Sequence, residues 1–247
     1  MSAVSLFKPL PEHAGAASDA CAAAVRGAIL RGDLAPGARL PPERALAARF
    51  GVSRLTLRAG LSQLAAAGLL HVRQGSGYVV QDYRSQGGPD LLTGILTLAR
   101  QRHQLGPTAA DLLAVRRQLA HALFERLAER WTSASAARIE PALLAFAQAA
   151  LTRDHAAIAR ADLGIVGALV AESGSAVLGL CLNPIARVLT ELGELRAAMF
   201  PDPQSNLAGW RAVIAALDAG ARDLPALIVA ELARRDRATL ERLERSR

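Results

Sequence analysis

Arg39-Leu-Pro-Pro-Glu-Arg-Ala-Leu-Ala-Ala-Arg-Phe-Gly-Val-Ser-Arg-Leu-Thr-Leu-Arg58 decides the fold of the N-terminal part of this chain. It reads as two short helices joined by a tight turn. The first is expected from about Pro42 to Phe50, because a proline at the first helical position loses no hydrogen bond. Gly51 supplies the left-handed conformation that ends a helix. Ser53 opens the next one as an N-cap, its hydroxyl accepting an orphan backbone N–H. Leu46, Phe50, Val52, Leu57, Leu61 and Leu64 fit one buried side of such a corner, and Arg44, Arg54, Thr56 and Arg58 fall mostly on the other. That layout is a helix-turn-helix.

Two short β-like runs follow Gly68, Leu69 to Arg73 and Tyr78 to Gln81, with Gln74-Gly75-Ser76-Gly77 between them as a hairpin turn. A hairpin directly after the second helix of the corner is a wing. In such a module the second helix enters the DNA major groove, and its N-terminal residues meet base edges.

Residues 18–81 resemble the winged helix-turn-helix of the GntR superfamily of bacterial transcription regulators. The resemblance rests on Ile29-Leu30-Arg31-Gly32-Asp33-Leu34-Ala35-Pro36-Gly37, Leu40-Pro41-Pro42-Glu43-Arg44, Phe50-Gly51-Val52-Ser53-Arg54 and the wing Gln74-Gly75-Ser76-Gly77. It implies that Arg44 reaches a base or phosphate at the groove edge and that Gln74 and Gly75 enter the minor groove. Arg54 and Arg58 are the candidates for reading guanine, because a guanidinium bonds O6 and N7 together. Ser53 and Thr56 are short hydroxyl donors suited to phosphates. Leu55 departs from the hydroxyl residue often found at its place, and it either meets a thymine methyl or loosens specificity. A single module contacts too few base pairs to stand out in a genome, so a homodimer on a palindromic operator is expected.

Composition agrees with a folded, helix-rich regulator. The chain has 247 residues, 51% of them hydrophobic and only 4% aromatic, so its core is built mostly from Leu, Ala, Val and Ile. The net charge is +7, and it is unevenly placed: ten Lys and Arg stand against five Asp and Glu through residue 85, and the remainder is nearly balanced. Positive charge beside a helix-turn-helix is the footprint of a polyanion binder. Cys21 and Cys181 have no metal-type spacing and form no disulfide framework, and both are expected as buried thiols in a reducing cytoplasm. The first residues lack the apolar core of a signal peptide. The most apolar stretch, 161–182, contains Asp162 and Glu172 and reads as buried helix rather than a membrane span.

Residues 1–17 are expected as a flexible tail, and Ser18 opens a helix to about Arg31. Tyr83-Arg-Ser-Gln-Gly-Gly-Pro89 marks a linker over 82–89. From Asp90 onward nothing reads as strand. One helix runs from there to about Leu105, and Gly106-Pro107-Thr108 is expected to break it. A long helix follows to Trp131, one capped by Ser133 or Ser135 to Leu151, and one from Asp154 to Glu172. After Ser173-Gly174-Ser175 the chain resumes helix to Phe200, with a bend at Pro184. Pro201-Asp202-Pro203 is a further stop, and two last helices cover 204–219 and 224–243. The expected architecture is mostly α: a winged helix-turn-helix over 18–81 with a small β-hairpin wing, then an all-helical bundle of about seven helices over 90–247 for effector binding and dimerisation.

The helical half resembles the effector domain of the FadR branch of the superfamily. This rests on Leu112-Leu113-Ala114-Val115-Arg116, on 162–175, and on Leu178-Gly-Leu-Cys-Leu-Asn183. Many members of that branch hold a divalent metal through one Asp and three His, and the metal holds a carboxylate effector. Asp162 matches the Asp, but Val166 stands where a His is required and the last two helices contain none. No metal and no cofactor are therefore expected, and Asp162 is expected at the surface or in a cap. Acyl-CoA-binding members also lack those His, so the resemblance points to a fatty acyl-CoA as effector. Arg116 matches a position where those proteins turn an Arg toward the ligand. At Ala233, Arg234, Arg235, Asp236 and Leu240 the last helix departs from the small and aromatic residues of the acyl-CoA binders. The alternatives are another carboxylate or metabolite, or a repressor that answers to no effector. No nucleophile–base pair, phosphate loop or metal cluster suggests an enzyme.

Overall fold

The computed structural model describes Phe7 and residues 17–73, 77–152 and 154–245. The chain divides into two compact units between Leu98 and Ala99. In the first unit α1 (Ala17–Arg31), α2 (Glu43–Phe50) and α3 (Arg54–Ala66) precede β1 (Leu70–Arg73) and β2 (Gly77–Val80). The strands pair antiparallel with Leu70 opposite Val80 and Val72 opposite Tyr78. Residues 37–40 anchor this wing: Gly37 N–H donates to the Val80 carbonyl at 2.8 Å and Leu40 N–H to the Tyr78 carbonyl at 2.9 Å.

The corner between α2 and α3 forms for the reasons legible in its residues. Gly51 adopts φ 71°, and its N–H reaches back to the last turn of α2. Ser53 accepts the Thr56 N–H at 3.0 Å. Leu46, Phe50, Leu57, Leu61 and Leu64 then share one core with Val25 and Ile29 of α1. Gly60 sets how closely α3 approaches α1, since a Cβ there would lie 2.4 Å from the Ser18 carbonyl oxygen. Cys21 is fully buried at this crossing, as expected.

Two expectations at the edges of this unit are corrected. Phe7 falls in the stretch read as a flexible tail, yet it is buried and its ring lies 5.2 Å from that of Phe50. The 82–89 stretch read as a linker carries α4 (Tyr83–Gln86), capped by Asp82, which accepts the Arg84 N–H at 3.0 Å. A 3-10 turn follows at Pro89–Leu91, and Leu91 is buried in the same core as Leu57 and Leu61. Apolar side chains at Tyr83, Leu91 and Ile95 hold this segment down where its Gly-Gly-Pro composition alone suggested a free connection.

The second unit is all helical. After α5 (Leu92–Gln101), which spans the division, come α6 (Leu105–Arg130), α7 (Ser135–Ala149), α8 (His155–Ser173), α9 (Ala176–Glu191), α10 (Gly193–Met199), α11 (Pro203–Asp218) and α12 (Leu224–Arg245). Their core is built from Leu123, Phe124, Leu127, Ile139, Phe146, Ile158, Ile165 and Leu169 with Leu207 and Ile214. Asp154, Ser175 and Asp202 cap α8, α9 and α11 by accepting backbone N–H groups.

Three helix ends differ from expectation, the first at α7, which starts after Ala134 with no side-chain cap where Ser133 or Ser135 was expected to supply one. Gly106-Pro107-Thr108 breaks nothing, because Pro107 sits in the first turn of α6, where an N–H has no intrahelical partner. The break lies just before, at Arg102–Gln104, with His103 at φ 57°. Pro184 does not interrupt α9, whose second half buries Ile185, Val188 and Leu189 in the core. The chain turns instead at Leu192, where α9 and α10 meet at 98°. Cys181, expected to be buried, is exposed on α9. No single helix among the described residues is long and apolar enough to cross a membrane.

Candidate functional site

The exposed side of α3 gathers the residues singled out for DNA. Leu57, Gly60, Leu61 and Leu64 point into the core, so Arg54, Leu55 and Arg58 stand in solvent. Leu55 is 79% exposed, unusual for a leucine on a helix whose other leucines are buried. Arg54 and Arg58 are four residues apart and lie one above the other on the helix surface. Ser53 and Thr56 share a hydrogen bond of 2.8 Å between their hydroxyls at the N-terminus of α3. No acidic residue occupies the first turn of α3, so its positive helix end faces solvent unopposed. Arg44, one residue into α2, is exposed as well. Gln74 and Gly75 lie outside the described residues. Glu43 was not anticipated here: its carboxylate takes Arg58 in a fork, Nη2 to Oε2 at 3.1 Å and Nε to Oε1 at 3.3 Å.

The second unit holds a partly open cavity of about 270 Å³ bounded by α6, α8, α9, α10, α11 and α12. Most of its wall is apolar, with Leu123, Phe124, Leu169, Leu189, Phe200 and Val213 among the lining side chains. One part is ionic. Arg116 donates from Nη2 to Asp236 Oδ1 at 2.6 Å, and Arg117 from Nη1 to Asp236 Oδ2 at 2.5 Å. Asp236 is nearly inaccessible, with 4% of its side chain exposed. Arg235 donates to Glu231 at 2.7 Å, and Arg234 pairs with the same carboxylate. These arginines, Arg234 foremost, hold the Glu231 carboxyl down at about 2. Arg116, brought forward by resemblance, therefore does line the cavity, but already in the grip of Asp236. Its Nε is buried and has no partner.

Asp162 corrects the expectation of a surface or capping residue. It lines the cavity and accepts the Trp210 indole N–H at 2.7 Å. Burial pushes its carboxyl above the usual range, against the opposing pull of Trp210, Arg116 and Arg235. The metal seen in related effector domains does not fit this donor set. Asp162 is engaged by an indole, its neighbour one turn on is the apolar Val166, and among the described residues no imidazole lines the cavity. Asp236 was noted from sequence only as a departure in the last helix, and Arg117 and Trp210 were missed.

Comparison with known proteins agrees with both halves. Residues 17–80 match the family described as bacterial regulatory proteins, gntR family, and residues 111–235 match the FCD domain. An uncharacterized HTH-type transcriptional regulator, Rv0494 of Mycobacterium tuberculosis, is 33% identical over 89% of this chain and 87% of its own. The fatty acid metabolism regulator protein of Yersinia pestis is 36% identical over 69% of this chain and 67% of its own. Among solved structures, Lar, which controls the expression of the Listeria monocytogenes agr system, shares the fold with TM-score 0.58 at 18% identity, over 93% of this chain and 97% of that one. The chain belongs to the GntR family of bacterial regulatory proteins, a transcription regulator whose helical half is an FCD domain.

Proposed function

We propose that this regulator binds a palindromic operator as a homodimer and that its cavity takes a fatty acyl-CoA, which modulates operator binding. Arg54 and Arg58 read guanine, Leu55 meets a thymine methyl, Arg44 reaches the groove edge, and Ser53 and Thr56 hold phosphates. Gln74 and Gly75 enter the minor groove from the wing. The effector acts by binding two states of the protein with different affinity, and only that difference shifts DNA binding.

The observation that carries the effector reading is the cavity itself: a long apolar wall beside guanidinium groups that already have carboxylates. Glu231 and Asp236 line the cavity beside Arg235 and Arg116, so an entering free carboxylate finds those guanidinium groups already engaged. A neutral thioester carbonyl needs no counter-ion, and it is an acceptor of the kind the unpartnered Arg116 Nε lacks. The Yersinia relative is named for fatty acid metabolism, which supports the same class of ligand. The closed Arg116–Asp236 pair also favours a second reading, in which the bundle answers to no effector.

Fluorescence anisotropy on DNA from upstream of the protein's own gene separates these readings. A long-chain acyl-CoA is titrated in, with the free fatty acid as control. Release by the CoA ester alone is the expected result. Tight binding indifferent to both leaves the DNA reading standing and removes the acyl-CoA. Sedimentation of the same complex tests the dimer, and a monomer at micromolar concentration with and without DNA overturns it.

A further inference from the structure

We propose that Glu43 is a positioning residue that aims Arg58 at a single guanine of the operator. The inference rests on Arg58 reading a base, and it adds what directs that reading.

Three exposed arginines stand on the two helices of the helix-turn-helix, and they are held differently. Arg44 and Arg54 have no carboxylate partner among the described residues. Arg58 is forked onto Glu43 through Nε and Nη2. A guanidinium has five N–H donors in one plane. The fork to Glu43 uses one at Nε and one at Nη2. The far edge then presents two parallel donors, one from Nη2 and one from Nη1, which is the pair that O6 and N7 of guanine accept. The carboxylate thus fixes the plane of the guanidinium and leaves free the edge that reads.

Glu43 is itself firmly placed. It opens α2, where a carboxylate is favoured by the helix end, and only 20% of its side chain is exposed against 61% for Arg58. The two residues are 15 apart in sequence. Gly51 and the shared core of Leu46, Phe50, Leu57 and Leu61 hold α2 against α3, so Glu43 meets Arg58 at a fixed distance. An arginine pre-oriented in this way loses less rotamer freedom when it docks. Glu43 also places a negative charge near the DNA. It therefore works against non-specific phosphate binding while it sharpens one base contact.

The experiment selects a randomised duplex library with wild type, R58A, E43Q and E43A in parallel. Affinities are then measured on the selected duplex, on single base-pair variants of it and on random duplex, and thermal melting checks each fold. R58A is expected to abolish the preference at one base pair per half-site. Both Glu43 variants are expected to weaken discrimination at that same pair by about three- to tenfold, with random-duplex affinity unchanged or higher. If R58A keeps every preference, the base-reading role of Arg58 fails and this proposal with it. If R58A loses a position that E43Q and E43A both keep, Arg58 reads the base and Glu43 does not position it. If the Glu43 variants weaken specific and random DNA alike, Glu43 only supports the fold and the proposal is overturned.

Discussion

The protein concentrates arginine in two places and treats it in opposite ways. On α2 and α3, Arg44 and Arg54 stand in water without a carboxylate among the described residues, and Arg58 has one carboxylate beside it but remains mostly exposed. Around the cavity, Arg116 and Arg117 share Asp236, and Arg234 and Arg235 share Glu231. The first set is an unbalanced, exposed charge of the kind that attracts a polyanion. The second is partly balanced from within, two carboxylates against four guanidiniums, because a buried guanidinium such as that of Arg116 is expensive without a partner. The same residue type thus marks a surface waiting for an anion in one unit and an internal clamp in the other.

The contrast is most sharply tested at Asp236. Removing it by D236A leaves two arginines facing a barely accessible space without their counter-ion. The expected loss is about 3–5 kcal/mol of unfolding free energy, read from urea titration. A loss below about 1 kcal/mol would make the cavity pair behave like a surface one and erase the distinction. R54A is next: it is expected to cost about 1–3 kcal/mol in binding to the specific duplex while leaving unfolding unchanged. Equal loss on random DNA would make Arg54 a phosphate contact. S53A removes the cap that accepts the Thr56 N–H, and about 1 kcal/mol of stability should go with it.

The smallest effect is expected at Asp162. Burial raises its pKa in the folded protein above the unfolded value, so the folded state holds the proton more tightly. Stability from this group therefore rises as the pH falls from the raised pKa toward the ordinary carboxylate value of the unfolded chain, and it is lost as the pH rises through the raised pKa. D162N keeps an acceptor for Trp210 and removes the titration. The pH profile of the melting temperature should flatten, with a change on the order of 2 °C at neutral pH. A profile as steep as that of the wild type would assign the titration to another group.

The two regions also differ in how far they could be read without the structure. The helix-turn-helix was legible because its signals are local. Gly51 ends a helix, Ser53 starts one, and the leucine spacing between 46 and 64 chooses the buried side. Even there the tertiary fold added what local rules do not contain: Glu43 reaching Arg58, and Phe7 packing on Phe50. In the second unit the start of a helix at Asp154 and the break at 173–175 were readable, but the effect of a proline was not. Pro107 and Pro184 both sit inside helices, one excused by its place in the first turn and one outweighed by core packing.

What the sequence by itself determined is the kind of protein: a winged helix-turn-helix with arginines on its outer side, joined to a helical bundle without the imidazoles of a metal site. Those features depend on residue type and on spacings of a few positions, which the backbone turns directly into helix faces and caps. Tertiary structure alone decided the character of the cavity. Arg116 and Asp236 are 120 positions apart, and only the packing of α6 along α12 brings them within 2.6 Å. Asp162 and Trp210, 48 apart, meet in the same way. Ionic pairing across a core is set by which helices pack together, so it becomes visible only once the chain has folded.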